Sequence, residues 1–322
     1  MIMTSGLTRS FRVKGEPLPA VRDLDMRVSE GELLAFLGPN GAGKTTTLRM
    51  LTTLLPPSSG TAVVAGCDIV DDPAGVRRRI GYIGQGHGAG NEQRVKDELV
   101  TQGRCYGMSG RQAVNRADEL IQSLGLEAVT RRPAGTLSGG QHRRLDIALG
   151  LMHQPALLFL DEPSAGLDPQ SRENLWDHLL RLRKEHGVTI FLTTHYLEEA
   201  DAMAERVLII DHGKLIADGS PAELKADLAG DRISLTTRDA EEASVAAQIC
   251  GRLPDTEGVQ IDGAVVSVQS RRGQARLPEL IRALDAGGAP PLAAGVTRAT
   301  LDDVFLHLTG RNLREGDEGG AR

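Results

Sequence analysis

The stretch Gly38-Pro39-Asn40-Gly41-Ala42-Gly43-Lys44-Thr45 constrains this chain more than any other, because an apolar run precedes it and a helical one follows. Leu33 to Leu37 is short and nearly continuous in apolar residues, the pattern of a parallel strand covered on both faces. Leu48, Leu51 and Leu55 then keep helical spacing until Pro56-Pro57. Strand, glycine loop and helix in that order let backbone N–H groups wrap a chain of phosphates, with the positive end of the helix dipole behind them. Lys44 offers a charge to the outer phosphates and Thr45 a hydroxyl to Mg²⁺. The plainer alternative is a glycine turn before an ordinary helix. Strand, loop, Lys-Thr and helix all in order argue against it.

A second element matches the first. The apolar run Leu157 to Leu160 ends in Asp161-Glu162, which would place Asp161 near Mg²⁺ through water and leave Glu162 to polarise an attacking water. A strand ending in acids is common by itself. Following a complete phosphate loop, it points to nucleotide hydrolysis.

The rest of the pattern frames these two. Leu24 to Val28 alternates like a half-buried strand, and Val188 to Leu192 and Val207 to Ile210 are further apolar runs. Helical spacings separate the runs, in Ala113, Ala117, Leu120, Ile121 and Leu124 and again in Leu145, Ala148, Leu149 and Met152. The fold class is therefore α/β, with a doubly wound parallel sheet. Ser220-Pro221-Ala222-Glu223 has the cap, proline and acid of a helix start, and that helix closes a first domain over residues 1–228.

Residues 229–310 read as a small α+β domain, in the order βαββαβ with a terminal helix. Its strands lie near Ile233 to Thr237, Val259 to Ile261 and Val265 to Val268. Its helices hold Val245 and Ile249, then Leu277, Leu280, Ile281 and Leu284, then Leu301, Val304, Phe305 and Leu308 behind the cap Thr300 with Asp303. Residues 311–322, rich in glycine and charge, read as a flexible tail.

Composition narrows the partners. A length of 322 residues suits about two domains, and 37 Lys+Arg against 43 Asp+Glu give a net charge of −6, which argues against nucleic acid. The basic groups Arg77-Arg78-Arg79, Arg143-Arg144 and Arg271-Arg272 read as solvated surface. No run of about 20 mostly apolar residues exists, since Met50 to Cys67 is broken by Pro56-Pro57-Ser58-Ser59-Gly60 and Ile147 to Leu160 contains His153, Gln154 and Pro155. The N-terminal residues show no signal-peptide pattern, and Cys67, Cys105 and Cys250 read as reduced cytosolic thiols.

Leu137-Ser138-Gly139-Gly140-Gln141, directly before a helix and ahead of Asp161-Glu162, adds the third element. With it, Leu7 to Leu224 resembles the nucleotide-binding domain of ATP-binding-cassette (ABC) proteins. The stretches LFLDEPSAGLDPQSRENLW, RRLDIALGL, TTHYLEEADAMAERVLIIDHGKLIADGSPAELK and TLDDVFLHLTGR are similar to the ATP-binding subunits of daunorubicin/doxorubicin-type resistance exporters.

The resemblance implies a P-loop NTPase cassette of parallel core sheet, antiparallel β subdomain and helical subdomain, followed by the small C-terminal domain. It implies ATP and Mg²⁺ as cofactors, and Lys44, Glu162 and His195 as catalytic residues. ATP would contact Gly38, Pro39, Asn40, Gly41, Ala42, Gly43, Lys44, Thr45 and Thr46, with Phe11 stacked on adenine; a core aromatic is the other reading of Phe11. Thr45, Gln85 and Asp161 would serve the metal, and Gln85 would also sense a membrane partner. His195, after a strand, would sit at the γ-phosphate. Ser138, Gly139, Gly140 and Gln141 would close on the ATP of a second copy, and Asp168 would contact that copy. Ser138 and Asp168 could equally be plain helix caps.

In function, the resemblance implies an ATPase at the cytoplasmic face of the membrane, working as a homodimer without nucleic acid. It would energise a separate permease for export of a drug or antibiotic-like compound. An importer subunit, or a soluble ABC ATPase of translation or DNA repair, stands as the alternative.

Overall fold

Leu33–Leu37 is a strand with every residue buried, and so are Leu157–Asp161 and Thr189–Thr194. Continuous burial on both faces is what their uninterrupted apolar sequences require. These strands lie in a sheet ordered Lys214–Gly219, Arg206–Asp211, Leu33–Leu37, Thr189–Thr194, Leu157–Asp161, Ile80–Ile83. From Arg206–Asp211 to Ile80–Ile83 neighbouring strands run parallel. The computed structural model describes residues 1–13, 15–86, 88–254 and 256–310, and the side chains of all these except Val13 and His186. The expected tail, 311–322, lies outside them.

Register decides what the sheet can do. Leu37 pairs with Thr194 and with Ile209, and Asp161 pairs with Thr193. The residues that follow, Gly38, Glu162 and His195, therefore leave the sheet at one edge, the carboxyl ends of the strands where open α/β sheets bind ligands.

A second, antiparallel sheet is ordered Glu16–Val28, Ile2–Val13, Ser59–Val64, Cys67–Asp68. Its inward residues Leu7, Leu24, Met26 and Val64 share one core with Phe36, Phe159, Phe191 and with Leu48 and Leu51 of the helix Lys44–Leu51. That helix stops at Leu51, a turn before the Pro56 break read from sequence, and Thr53 just beyond has a φ of 63°. Helices Val95–Cys105, Gly110–Ser123 and Gly139–Leu151 form a helical layer; Ser109 and Ser138 each close a capping box.

The chain divides into two units, Met1–Tyr196 with Met203–Ala217, and Leu197–Ala202 with the described residues from Asp218 onward. In the second unit the order is βαββαβ plus a last helix, and the sheet runs Thr256–Asp262, Val265–Ser270, Asp231–Thr236, Ala293–Thr297, antiparallel throughout. Ile233, Leu235, Val266 and Val268 face Leu280 and Leu284 in its core. The helix Ala240–Cys250 buries Ala243, Ala246 and Cys250, while Val245 is 44% exposed. Small residues let this helix lie close on the sheet, and the larger Val245 faces out. Among the described residues no helix is long and apolar enough to cross a membrane.

Candidate active site

The loop from Gly38 to Gly43 can close only because its ends carry no side chain. A Cβ on Gly38 would stand 2.3 Å from the Ile210 carbonyl oxygen, and one on Gly43 would stand 2.5 Å from that of Ala20. Gly43 also has φ 110°, in the region that favours glycine. Lys44 begins the helix with its side chain 5% exposed, and its Nζ donates to the carbonyls of Gly38 at 2.6 Å and Pro39 at 3.3 Å. The ammonium is thus held under the loop's own backbone, beside the space that the loop surrounds.

The acids meet it from the neighbouring strands. Glu162 Oε1 lies 3.8 Å from Lys44 Nζ, and the Thr45 hydroxyl donates to Asp161 Oδ1 at 3.5 Å. Thr193 donates to that same Oδ1 at 2.6 Å, while its own hydroxyl accepts from the Glu162 N–H at 3.1 Å. Glu162 has φ 50°, a left-handed backbone on a residue with a Cβ. His195 Nδ1 stands 3.3 Å from Glu162 Oε2, and its ring packs on Tyr196 at 4.1 Å. The His195 ring first, and the Lys44 charge with it, hold the Glu162 carboxyl below its ordinary pKa against the opposing effect of burial.

Gln85 follows the strand Ile80–Ile83, whose Ile83 pairs with Leu160, so it emerges at the same sheet edge as Asp161 and is exposed. Ser138, Gly139, Gly140, Gln141 and Asp168 form a separate group. Ser138 caps Gly139–Leu151, its N–H donating to Gln141 Oε1 at 3.0 Å, and both Ser138 and Gly139 are exposed. Asp168 caps Pro169–His186 by accepting from the Ser171 N–H at 2.9 Å and hydroxyl at 2.6 Å, bonds that lower its pKa. That Ser171 hydroxyl lies 2.8 Å from where a Cβ on Gly140 would be, so the two caps abut. Both residues are caps, as their plainer reading held, and both present an open surface. Phe11 is not a core aromatic: it is 37% exposed, with the Arg9 guanidinium 5.0 Å from its ring centre.

The site has a hard-oxygen donor set in Thr45 and Asp161, which suits Mg²⁺ completed by phosphate oxygens and water. Among the described residues no group of three or more His, Cys, Asp or Glu could hold a metal by itself.

Two residues escaped the sequence reading. Thr193 stood there only as a neighbour of His195. Arg143 was read as solvated surface, yet it is 6% exposed and donates to the carbonyls of Pro163 at 2.9 Å, Gly84 at 2.6 Å and Asp161 at 3.1 Å. Burial pushes its pKa down. A signal existed, because Leu145, Ile147, Ala148 and Leu151 wrap apolar residues around most of this helix, and a charge inside such a helix needs partners.

Comparison with known proteins follows the same outline. A family model described as ABC transporter matches residues 21–165. The daunorubicin resistance ATP-binding protein DrrA3 of Streptomyces coeruleorubidus is 42% identical over 92% of this chain and 92% of its own length. The doxorubicin resistance ATP-binding protein DrrA of Mycobacterium tuberculosis is 38% identical over 96% of this chain and 93% of its own. Among solved structures, the dimeric post-hydrolysis state of the ATP-binding cassette MJ0796 bound to ADP and phosphate matches with a TM-score of 0.63 at 25% identity, covering 68% of this chain and 98% of that one. CbiO1 from Clostridium perfringens, part of an ABC transporter complex, matches with a TM-score of 0.64 at 26% identity, covering 79% and 95%.

Proposed function

The chain belongs to the ATP-binding subunits of ABC transporters, in the group of the daunorubicin and doxorubicin resistance proteins, and it is an ATPase; from that premise we propose that it powers export of a drug or antibiotic-like compound through a separate membrane permease. One observation carries the chemical part of this reading: Lys44, Asp161, Glu162 and His195 converge where the glycine loop leaves the sheet. Two relatives of nearly equal length, both named for drug resistance, favour export over import and over a soluble role in translation or DNA repair.

In this reading the loop N–H groups from Gly38 to Thr46 hold the phosphates of ATP, and Lys44 turns its charge from the loop carbonyls to the outer phosphates. Glu162 accepts the proton of the attacking water, its carboxylate kept ionised by His195 and Lys44. His195 stays at the γ-phosphate end, and Phe11 offers its exposed face to adenine. Thr45, Asp161 and Gln85 would hold Mg²⁺, which when bound neutralises developing phosphate charge. The exposed group Ser138 to Gln141, with Asp168, serves a second copy of the chain, whose ATP it covers. The protein then works as a homodimer at the cytoplasmic face of the membrane, held there by its permease, and its net charge of −6 fits the absence of any nucleic-acid role.

The test is to co-express the chain with a candidate six-span permease and prepare inverted vesicles. ATP-dependent accumulation of an anthracycline with the wild-type chain, and none with Glu162→Gln, is the expected result. Full ATPase activity with no membrane retention and no uptake for any candidate permease would overturn the transport reading.

A further inference from the structure

The Arg143 guanidinium braces both arms of the site through backbone carbonyls. Its Nη1–H bonds the carbonyl of Gly84, the residue before Gln85. Its Nη2–H and Nε–H bond the carbonyls of Asp161 and Pro163, the residues on either side of Glu162. One rigid, planar cation therefore pins the backbone around Gln85 and on both flanks of Glu162. It does so from the second turn of the helix Gly139–Leu151, just beyond the exposed Ser138 cap that begins it.

From this geometry we propose that Arg143 is a positioning residue that ties the pose of Glu162 and Gln85 to the helix carrying Ser138 to Gln141. The proposal rests on the reading above, in which Glu162 activates water and a second copy engages Ser138 to Gln141. The physical reason is that Glu162 sits in a left-handed backbone at φ 50°, and its carboxylate direction follows from that one peptide. With Asp161 and Pro163 fastened to one guanidinium, a shift of the helix moves the catalytic carboxylate and Gln85 together. Engagement of the Ser138 edge is thereby registered at the chain's own acid, where a misplacement of about 1 Å can cost roughly a hundredfold in rate.

The test uses the full chain with Arg143→Met and Arg143→Lys. Arg143→Met is expected to lower kcat by about tenfold or more while KM for ATP changes by less than about threefold, because the phosphate loop is untouched. Arg143→Lys recovers only part of kcat, since one ammonium cannot span carbonyls on two loops. Added to Glu162→Gln, Arg143→Met should lower the residual turnover by a much smaller factor than it lowers that of the wild type, because the part of its effect that runs through Glu162 is already lost. If Arg143→Met does not fold, the same loss of kcat with an intact KM is required of Arg143→Lys.

A folded Arg143→Met chain with wild-type kcat overturns the proposal, and so does a loss that appears equally in kcat and in the fraction of folded protein. Wild-type turnover in Glu162→Gln alone would instead overturn the reading of Glu162, which keeps the two failures apart.

Discussion

Thr193 donates a 2.6 Å hydrogen bond to Asp161 Oδ1, the same oxygen that receives the Thr45 hydroxyl at 3.5 Å. Since the Thr193 hydroxyl also accepts from the Glu162 N–H at 3.1 Å, one side chain on a neighbouring strand orients the Asp161 carboxylate and the Glu162 backbone at once. Thr193→Val keeps the shape and removes the hydroxyl. The expected loss is about 1 kcal/mol of stability, with the thermal midpoint down by roughly 2–4 °C. More Mg²⁺ should be needed for half-maximal ATPase. An unchanged Mg²⁺ titration would contradict the role given to Asp161.

Glu162→Gln should separate binding from chemistry. The amide keeps the volume beside Lys44 but cannot take a proton, so turnover falls by about a hundredfold or more while ATP affinity stays within a few-fold. Size-exclusion chromatography with ATP should show a dimer that persists. Hydrolysis close to wild type would mean that another group is the base.

The pH profile follows from the cause of the Glu162 shift. Its pKa is lowered in the folded chain, chiefly by His195, so the contribution of the ionised carboxylate to stability is present above the ordinary value of 4.5 and is lost as pH falls through the lower folded value. His195→Ala removes the leading cause and leaves burial, which pushes the other way, opposed by the Lys44 charge alone. The acid limb of kcat/KM should therefore move to higher pH in His195→Ala. A limb that stays in place would show that His195 does not set the charge of Glu162.

Gly43→Ala and Gly41→Ala make a matched pair in the loop. Gly43 has φ 110° and a carbonyl 2.5 Å from the added carbon, whereas Gly41 has φ 79° and open space. Both cost backbone strain of about 1–3 kcal/mol, and Gly43→Ala must also displace the Ala20 backbone. Nucleotide titrations should show weakened binding in both, larger in Gly43→Ala. The reverse order would mean that the loop opens on binding.

The residues whose chemistry is local were legible in the sequence. Gly38 to Thr45, Asp161-Glu162 and the Ser138 cap each follow from a pattern confined to a few neighbours, and strand register then brings the first two together. Thr193 and Arg143 were not legible in this way, because their partners lie on other elements. Arg143 bonds carbonyls 18 to 59 residues away, and a carbonyl leaves no trace in the identity of the residue that bears it. The outward side of Val245 was illegible for a related reason. Helical spacing marks candidates for burial, but the close approach of the sheet chose Ala243 and Ala246 over the larger side chain.

The left-handed backbone of Glu162 has an evolutionary consequence. Glycine or asparagine would take φ 50° at less cost, so the wild-type residue gives up about 1 kcal/mol or more for its carboxylate. Selection for folded yield alone, in a library where turnover is not required, should drift at position 162 toward glycine or asparagine. Selection for ATP turnover would hold the glutamate, and the two pressures would pull apart at this single position.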